Sequence, residues 1–256
     1  MDYKSFKKDK KLDLIIEKLE DISRSIVNDN STMSNNDDAQ VDLKEWEYNK
    51  SLNPSGPICR EIVSGAICLA DREETFSLIP KQGIVAEIGV AYGDFSEKLL
   101  AGLTPKKFYA IDWFNPDNEY VSFWGDTRLA DERISHINYY KRRFNMAIEH
   151  NVMEVCQGLS WDVLNQFEDN YFDYIYLDAA HDYESVKRDI SVIEKKIKDG
   201  GYIQFNDYVL YSPPEGLYYG VIPAVNEWLN KSKTHRVIAR CFHQRGYDDL
   251  LVQIHK

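Results

Sequence analysis

Apolar side chains near the start of the chain, Leu12, Ile15, Leu19, Ile22 and Ile26, recur at alternating steps of three and four. This spacing places them on one stripe of a helix over residues 11–27, with Glu17, Lys18, Glu20 and Asp21 around it. That is the pattern of a coiled-coil seam. A lone helix this short is marginal in water. It therefore needs a partner, either another copy in a homo-oligomer or its own domain. Residues 28–42 are polar and almost free of large apolar groups, and they read as a flexible linker between the helix (1–27) and a globular region (43–256).

Within the globular region, the stretch from Gly56 to Pro80 reads as helical, anchored by Ile58, Ile62, Ile67 and Leu69 and stopped by Pro80. Short apolar runs then alternate with longer amphipathic ones. The runs Ile84–Ile88, Phe108–Ile111, Met153–Cys156, Tyr174–Leu177 and Tyr202–Phe205 read as strands. Phe95–Ala101, Ile134–His150, Trp161–Gln166 and Tyr183–Lys198 read as helices. Such alternation predicts an α/β, Rossmann-like, doubly wound and mostly parallel sheet covered on both faces. The tail departs from it. Arg236–Phe242 and Leu250–His255 flank a turn at residues 244–248, and they predict an antiparallel C-terminal hairpin that finishes the sheet.

Composition narrows the class. The chain has 256 residues, 43% hydrophobic and 29% charged, which suits one catalytic domain with a real core plus an appendage. A net charge of −11 argues against a phosphate-tracking surface, so no nucleic-acid partner is expected. The basic run Lys141-Arg142-Arg143 reads as a solvated helix face. No apolar run is long enough to span a bilayer and no signal-peptide pattern opens the chain, so a cytoplasmic protein is expected. The four cysteines show no zinc-ligand spacing and read as reduced thiols.

Chemistry concentrates where strands end. Glu87-Ile88-Gly89-Val90-Ala91-Tyr92-Gly93 carries a strand into a glycine-rich turn and then a helix. The spacing is neither that of the dinucleotide fingerprint nor that of the phosphate loop. About twenty residues on, the next strand ends in Asp112, where an acid can accept both hydroxyls of a ribose bound at the sheet's carboxyl edge. Asp178, His181, Asn206 and Asp207 fall at the carboxyl ends of two further strands, which in an open α/β sheet is a ligand-binding edge. His181 reads either as a catalytic base or as an ordinary first-turn helix residue. The loops 113–126 and 208–220 are long and aromatic, which suits lids or binding loops.

Together these segments resemble the class I S-adenosylmethionine-dependent methyltransferases, and within them the branch of macrolide-sugar and other small-molecule O-methyltransferases. The resemblance runs from about Gly83 to Asp207. It rests on E-I-G-x-x-x-G-x-F, the acid after the second strand, F-D-x-I-x-L-D-x-x-H-x-Y-x-x-V-x-x-D and G-G-x-I-x-F-[ND]-D. It implies S-adenosylmethionine as cofactor. The turn at Glu87, Gly89, Tyr92 and Gly93 would hold the methionine part, and Asp112 the ribose. Ser160 and Trp161 would meet the adenine, although Trp161 reads equally as a core aromatic. Asp178 would line the cofactor's reactive end. The resemblance also implies a divalent cation, Mg²⁺, held by Asp178, Asn206 and Asp207, with His181 and Asp178 as catalytic groups. Asn206 stands where the metal-dependent pattern has an acid, and an amide oxygen is still an acceptable ligand for a hard cation.

The acceptor implied is a small molecule, in particular a sugar or glycan precursor, as in polysaccharide biosynthesis. Two alternatives stand beside it. One is a metal-independent methyltransferase of another small molecule, and the other is a non-catalytic cofactor-binding scaffold.

Overall fold

The computed structural model describes residues 57–115, 121–123, 125–243 and 246–256. The expected helix 11–27 and linker 28–42 lie outside the described residues. The described residues belong to one compact unit, Trp46–Lys256.

A mixed eight-stranded sheet runs through this unit. Its strands are β1 (Ile67–Leu69), β2 (Ile84–Ile88), β3 (Lys107–Asp112), β4 (Met153–Gln157), β5 (Phe172–Leu177), β6 (Ile197–Phe205), β9 (Arg236–Cys241) and β10 (Asp249–Gln253). A separate two-stranded ladder pairs β7 (Tyr211–Ser212) with β8 (Leu217–Tyr218). The sheet order is β1-β9-β10-β6-β5-β2-β3-β4. From β6 to β4 all pairings are parallel. β10 enters antiparallel between β6 and β9. The doubly wound sheet and its C-terminal hairpin are thus as the sequence predicts. The hairpin does not end the sheet, however, because β1 adds a parallel strand outside β9.

Side-chain alternation explains why both faces are buried. Along β5, Tyr174 and Tyr176 point into one core while Ile175 and Leu177 point into the other. The first core is closed by α7 (Tyr183–Lys196) and α8 (Val221–Ser232), through Val186, Ile190, Ile193, Val225 and Leu229. The second is closed by α2 (Asp94–Leu103), whose Phe95, Leu99 and Leu103 recur every four residues and are all buried. Each such side chain contributes about 1.5–3 kcal/mol by leaving water.

Several local readings need correction. The stretch from Gly56 to Pro80 is not one helix. It holds α1 (Arg60–Val63), then β1, then a 3₁₀ helix over Arg72–Ser77. α1 ends where Ser64 turns extended at ψ 122°, Gly65 follows at φ +85°, and the chain beyond is drawn out to pair Ile67 with Ala239 and Leu69 with Cys241. Ile134–His150 is likewise divided, into α4 (His136–Arg143) and α5 (Asn145–Glu149), at Phe144, which leaves helical geometry to pack its ring beside Tyr140. The loop after Asp112 contains α3 (Arg128–Glu132), and α6 spans Ser160–Leu164.

Candidate active site

β2 is flanked by β3 on one side and β5 on the other, so the chain reverses its winding between β2 and β5. Ligands bind at such a switch point, outside the carboxyl ends of the strands. Gly89 sits there at φ +83°, and a Cβ on it would lie 1.8 Å from the Asp178 carbonyl oxygen. The two strand ends can therefore approach only because residue 89 has no side chain. Gly89 N–H donates to Ile111 O at 2.8 Å and Asp178 N–H to Ile88 O at 2.8 Å, which ties the ends of β2, β3 and β5 together.

On the β2–β3 side, both oxygens of the Asp112 carboxylate accept backbone N–H groups, Oδ2 from Val90 at 2.9 Å and Oδ1 from Phe114 at 2.7 Å. A carboxylate has about four lone-pair sites, so two acceptor positions stay available to a diol. Glu87 is buried on the α2 face, where its Oε2 accepts from Ser96 Oγ at 2.5 Å and Ser96 accepts in turn from Tyr140 at 2.7 Å. Burial, with Asp178 and Asp112 nearby, pushes its carboxyl well above the usual range. Tyr92 is buried as well. Its hydroxyl donates to Asp126 O at 2.9 Å, and the Arg128 guanidinium lies 4.3 Å from its ring centre. Tyr92 thus anchors the loop that follows β3. His136, which the sequence reading did not single out, pins α4 to the same turn through Nε2 and Ala91 O at 2.6 Å.

Ser160 and Trp161 both have partners within the chain. Ser160 Oγ donates to Asp189 Oδ1 at 2.5 Å, and Arg188 covers the Trp161 ring at 4.6 Å. Two exposed apolar side chains outside the site residues read from the sequence, Trp113 and Leu159, follow the carboxyl ends of β3 and β4 by one and two residues, and Gly158 N–H joins these ends through Asp112 O at 2.9 Å. Their signal in the sequence is a large apolar group within two residues of a strand end where solvent is expected.

On the β5–β6 side, Asp178, His181, Asn206 and Asp207 do gather. His181 stands between two carboxylates, with Nε2 3.7 Å from Asp178 Oδ1 and 3.5 Å from Asp207 Oδ2. These separations are too long for well-formed hydrogen bonds, and Nε2 is buried without a partner. Burial lowers the His181 pKa, but Asp178, Asp207 and Glu215 outweigh it, so the net shift is upward from 6.5. Burial, together with the Asp178 charge, pushes Asp207 to about 6. The ring is fixed from several directions. Tyr219 stacks on it at 4.4 Å and 6°. Asp182 caps α7 by accepting Ser185 N–H at 3.0 Å. Gly220 donates its N–H to His181 O at 2.7 Å. A Cβ on Gly220 would lie 2.1 Å from Tyr183 N, so that segment too can approach only as glycine.

The expected cation ligands do not fit a divalent metal. Asn206 Oδ1, the oxygen that would coordinate, already accepts from Arg72 Nη1 at 3.0 Å and from Tyr176 OH at 2.9 Å. Its Nδ2 therefore faces Asp178 and donates to Oδ1 at 2.9 Å. A guanidinium stands on the side where the cation's third ligand was expected. Among the described residues no group of three or more His, Cys, Asp and Glu side chains is arranged to hold a metal ion.

This sheet order, with its reversed hairpin and the acid–turn–acid switch point, defines the class I S-adenosylmethionine-dependent methyltransferase fold. Residues 86–208 match the model of a family described as a methyltransferase domain. A putative rRNA methylase from Clostridium thermocellum superposes with TM-score 0.52 at 10% identity, over 72% of this chain and 93% of that one. An O-methyltransferase from Streptomyces achromogenes involved in tomaymycin synthesis, solved in complex with its cofactor, gives 0.48 at 18% over 68% and 74%. A putative type 11 methyltransferase from Sulfolobus solfataricus gives 0.47 at 17% over 72% and 90%. No curated protein sequence matches the chain. No described helix is long and apolar enough to cross a membrane.

Proposed function

We propose that this protein transfers the methyl group of S-adenosylmethionine to a hydroxyl of a small acceptor, a sugar or glycan precursor, with His181 as general base. The observation that carries the reading is His181 Nε2, buried without a hydrogen-bond partner at the switch-point edge between Asp178 and Asp207. The cofactor supplies an electrophilic methyl on a sulfonium. The protein's residues do the rest. Asp112 has lone pairs free for the ribose hydroxyls, and the buried Glu87 carboxyl lies below the turn that would take the methionine end. An alcohol is a poor nucleophile until its proton leaves, and a neutral imidazole held in one orientation can accept it. In the balanced step the acceptor oxygen bonds to the methyl carbon, the carbon–sulfur bond breaks, and the proton passes to His181. The two flanking carboxylates then stabilise the imidazolium.

A non-nucleic-acid acceptor is supported by the charge distribution. Within the run Lys141-Arg142-Arg143, Arg142 pairs with Glu132 and Arg143 with Asp94 and Glu97, so those two charges are neutralised locally. Tyr211, exposed on the β7–β8 ladder, and Tyr219, just after it and stacked on His181, offer aromatic faces to a polyhydroxylated acceptor. The apolar stripe over 11–27 gives the chain a route to self-association, which light scattering before and after removal of residues 1–42 would measure.

The test is calorimetric titration with S-adenosylhomocysteine, followed by a methyl-transfer screen of nucleotide sugars. Binding with a raised melting temperature is expected, and absence of binding to the wild type would remove the reading.

A further inference from the structure

Arg72 lies before the matched residues 86–208, and the sequence reading gave it no role. It opens the 3₁₀ helix Arg72–Ser77, behind Asp71, whose side chain accepts Glu73 N–H. Its guanidinium carbon lies 4.2 Å from the Phe95 ring centre, and Nη1 donates to Tyr176 OH at 2.8 Å as well as to Asn206 Oδ1 at 3.0 Å. A planar, permanently charged group held by an aromatic face and two acceptors has one orientation.

That orientation decides what Asn206 does. With Oδ1 turned to the guanidinium, the amide can offer only its Nδ2 to Asp178. The flipped amide would set two N–H donors against a cation, which has no acceptor to offer. Arg72 therefore holds Asp178 at one remove, through Asn206. Burial acts to lower the Arg72 pKa, but Tyr176, Asp249 and Asp178 outweigh it, so the group stays charged.

Resting on the His181-based reading above, we propose that Arg72 is a built-in cation. It fills the electrostatic place of a divalent metal at the acceptor edge and positions Asp178 through Asn206, so that methyl transfer here needs no metal. Arg72 is in these terms a positioning residue. Its charge excludes a second cation from the carboxylates of Asp178 and Asp207, and its fork fixes the amide that would otherwise be free to coordinate.

Mn²⁺ titration followed by electron paramagnetic resonance tests this on four full-length proteins: the wild type, Asn206→Asp, Asn206→Asp with Arg72→Met, and Asn206→Asp with Arg72→Lys. Cation affinity in an oxygen site follows ligand charge and the absence of competing positive charge. Saturable binding is expected only when the Arg72 charge is removed and the third acid is restored, at least about tenfold tighter than in the other three. Saturable binding to the wild type or to Asn206→Asp at that strength would overturn the proposal. So would its absence from a folded Arg72→Met, Asn206→Asp protein, with folding judged by melting temperature. If Arg72→Met does not fold, the decision falls to the other three. Binding to any of them overturns the proposal, and its absence from all three, the charge-retaining Arg72→Lys included, supports it. Failure of the wild type to bind S-adenosylhomocysteine would remove the functional reading instead, and the Mn²⁺ result would still judge Arg72.

Discussion

The two halves of the switch-point edge are built differently. On the β2–β3 side the decisive contacts are short in sequence and run from backbone N–H groups to one carboxylate. Val90 reaches Asp112 across 22 residues, and the glycine turn sets the geometry. On the β5–β6 side they are long-range and made by side chains, with Arg72 and Asn206 separated by 134 residues. The first half is a frame of hydrogen bonds and close approaches, proposed above to hold the cofactor, whereas the second is a network of charges and amides whose state can change with pH. Substitutions should therefore act on folding and cofactor affinity in the first half, and on turnover in the second.

The largest effect is expected at Gly89. A methyl group there meets backbone rather than a movable side chain, in a left-handed conformation. Gly89→Ala should cost about 3–5 kcal/mol, combining a strained φ with overpacking. Chemical denaturation measures it. A loss below about 1 kcal/mol would show that the strand ends part easily, and would weaken the frame side of the comparison.

His181→Ala should break the other half alone. Turnover should fall about 10²- to 10⁴-fold, the usual contribution of a general base, while S-adenosylhomocysteine affinity stays within about twofold. Because Asp178 and Asp207 outweigh burial at this ring, the acid limb of kcat/KM in the wild type should lie above 6.5, with activity rising as His181 loses its proton. Near-normal turnover of the variant, or an acid limb below 6.5, would remove His181 as base.

Asp112→Ala should show the opposite split. It removes the carboxylate whose two remaining acceptor positions would take the ribose hydroxyls, and should weaken S-adenosylhomocysteine by about 1.5–3 kcal/mol, the range for hydrogen bonds to a charged group. Turnover at saturating cofactor should change less. An equal fall in both would mean that the two halves are coupled.

How much of this the sequence discloses follows from the same contrast. Glu87, Gly89, Gly93 and Asp112 stand out because a strand, a turn and a strand end are local patterns with fixed periods. His181 and Asp207 stand out because they follow strand ends. Arg72 does not, since nothing within ten residues of it marks a site and its partner Tyr176 reads simply as a strand aromatic. Tyr219 is hidden for the same reason, being one of several tyrosines in a loop. The stretch from Gly56 to Pro80 misleads because Ile67 and Leu69 fit a helix as well as an edge strand. Only pairing with β9 decides between them. Ser160 illustrates the reverse problem. Its place after β4 is legible, but not the commitment of its hydroxyl to Asp189.

That commitment gives the smallest and most specific prediction. Asp189 is buried in α7, and burial raises its carboxyl from 3.8 to about 6 despite the bond from Ser160. A folded-state pKa above the unfolded value means that the native protein holds the proton more tightly between those two values. Asp189 therefore favours the folded state least once it must ionise. Its contribution is full below pH 3.8 and is lost as pH rises through about 6. Asp189→Asn retains an acceptor for Ser160 and has no proton to lose. Denaturation at pH 8 should find the variant more stable than the wild type by about 1–2 kcal/mol, with the gap closing toward pH 4. Ser160→Ala should lower stability by about 1 kcal/mol while leaving S-adenosylhomocysteine affinity within about twofold, because its hydroxyl is committed to Asp189. A gap that is the same at both pH values would mean that Asp189 is ionised throughout. A large loss of cofactor affinity in Ser160→Ala would return that hydroxyl to the cofactor-binding half.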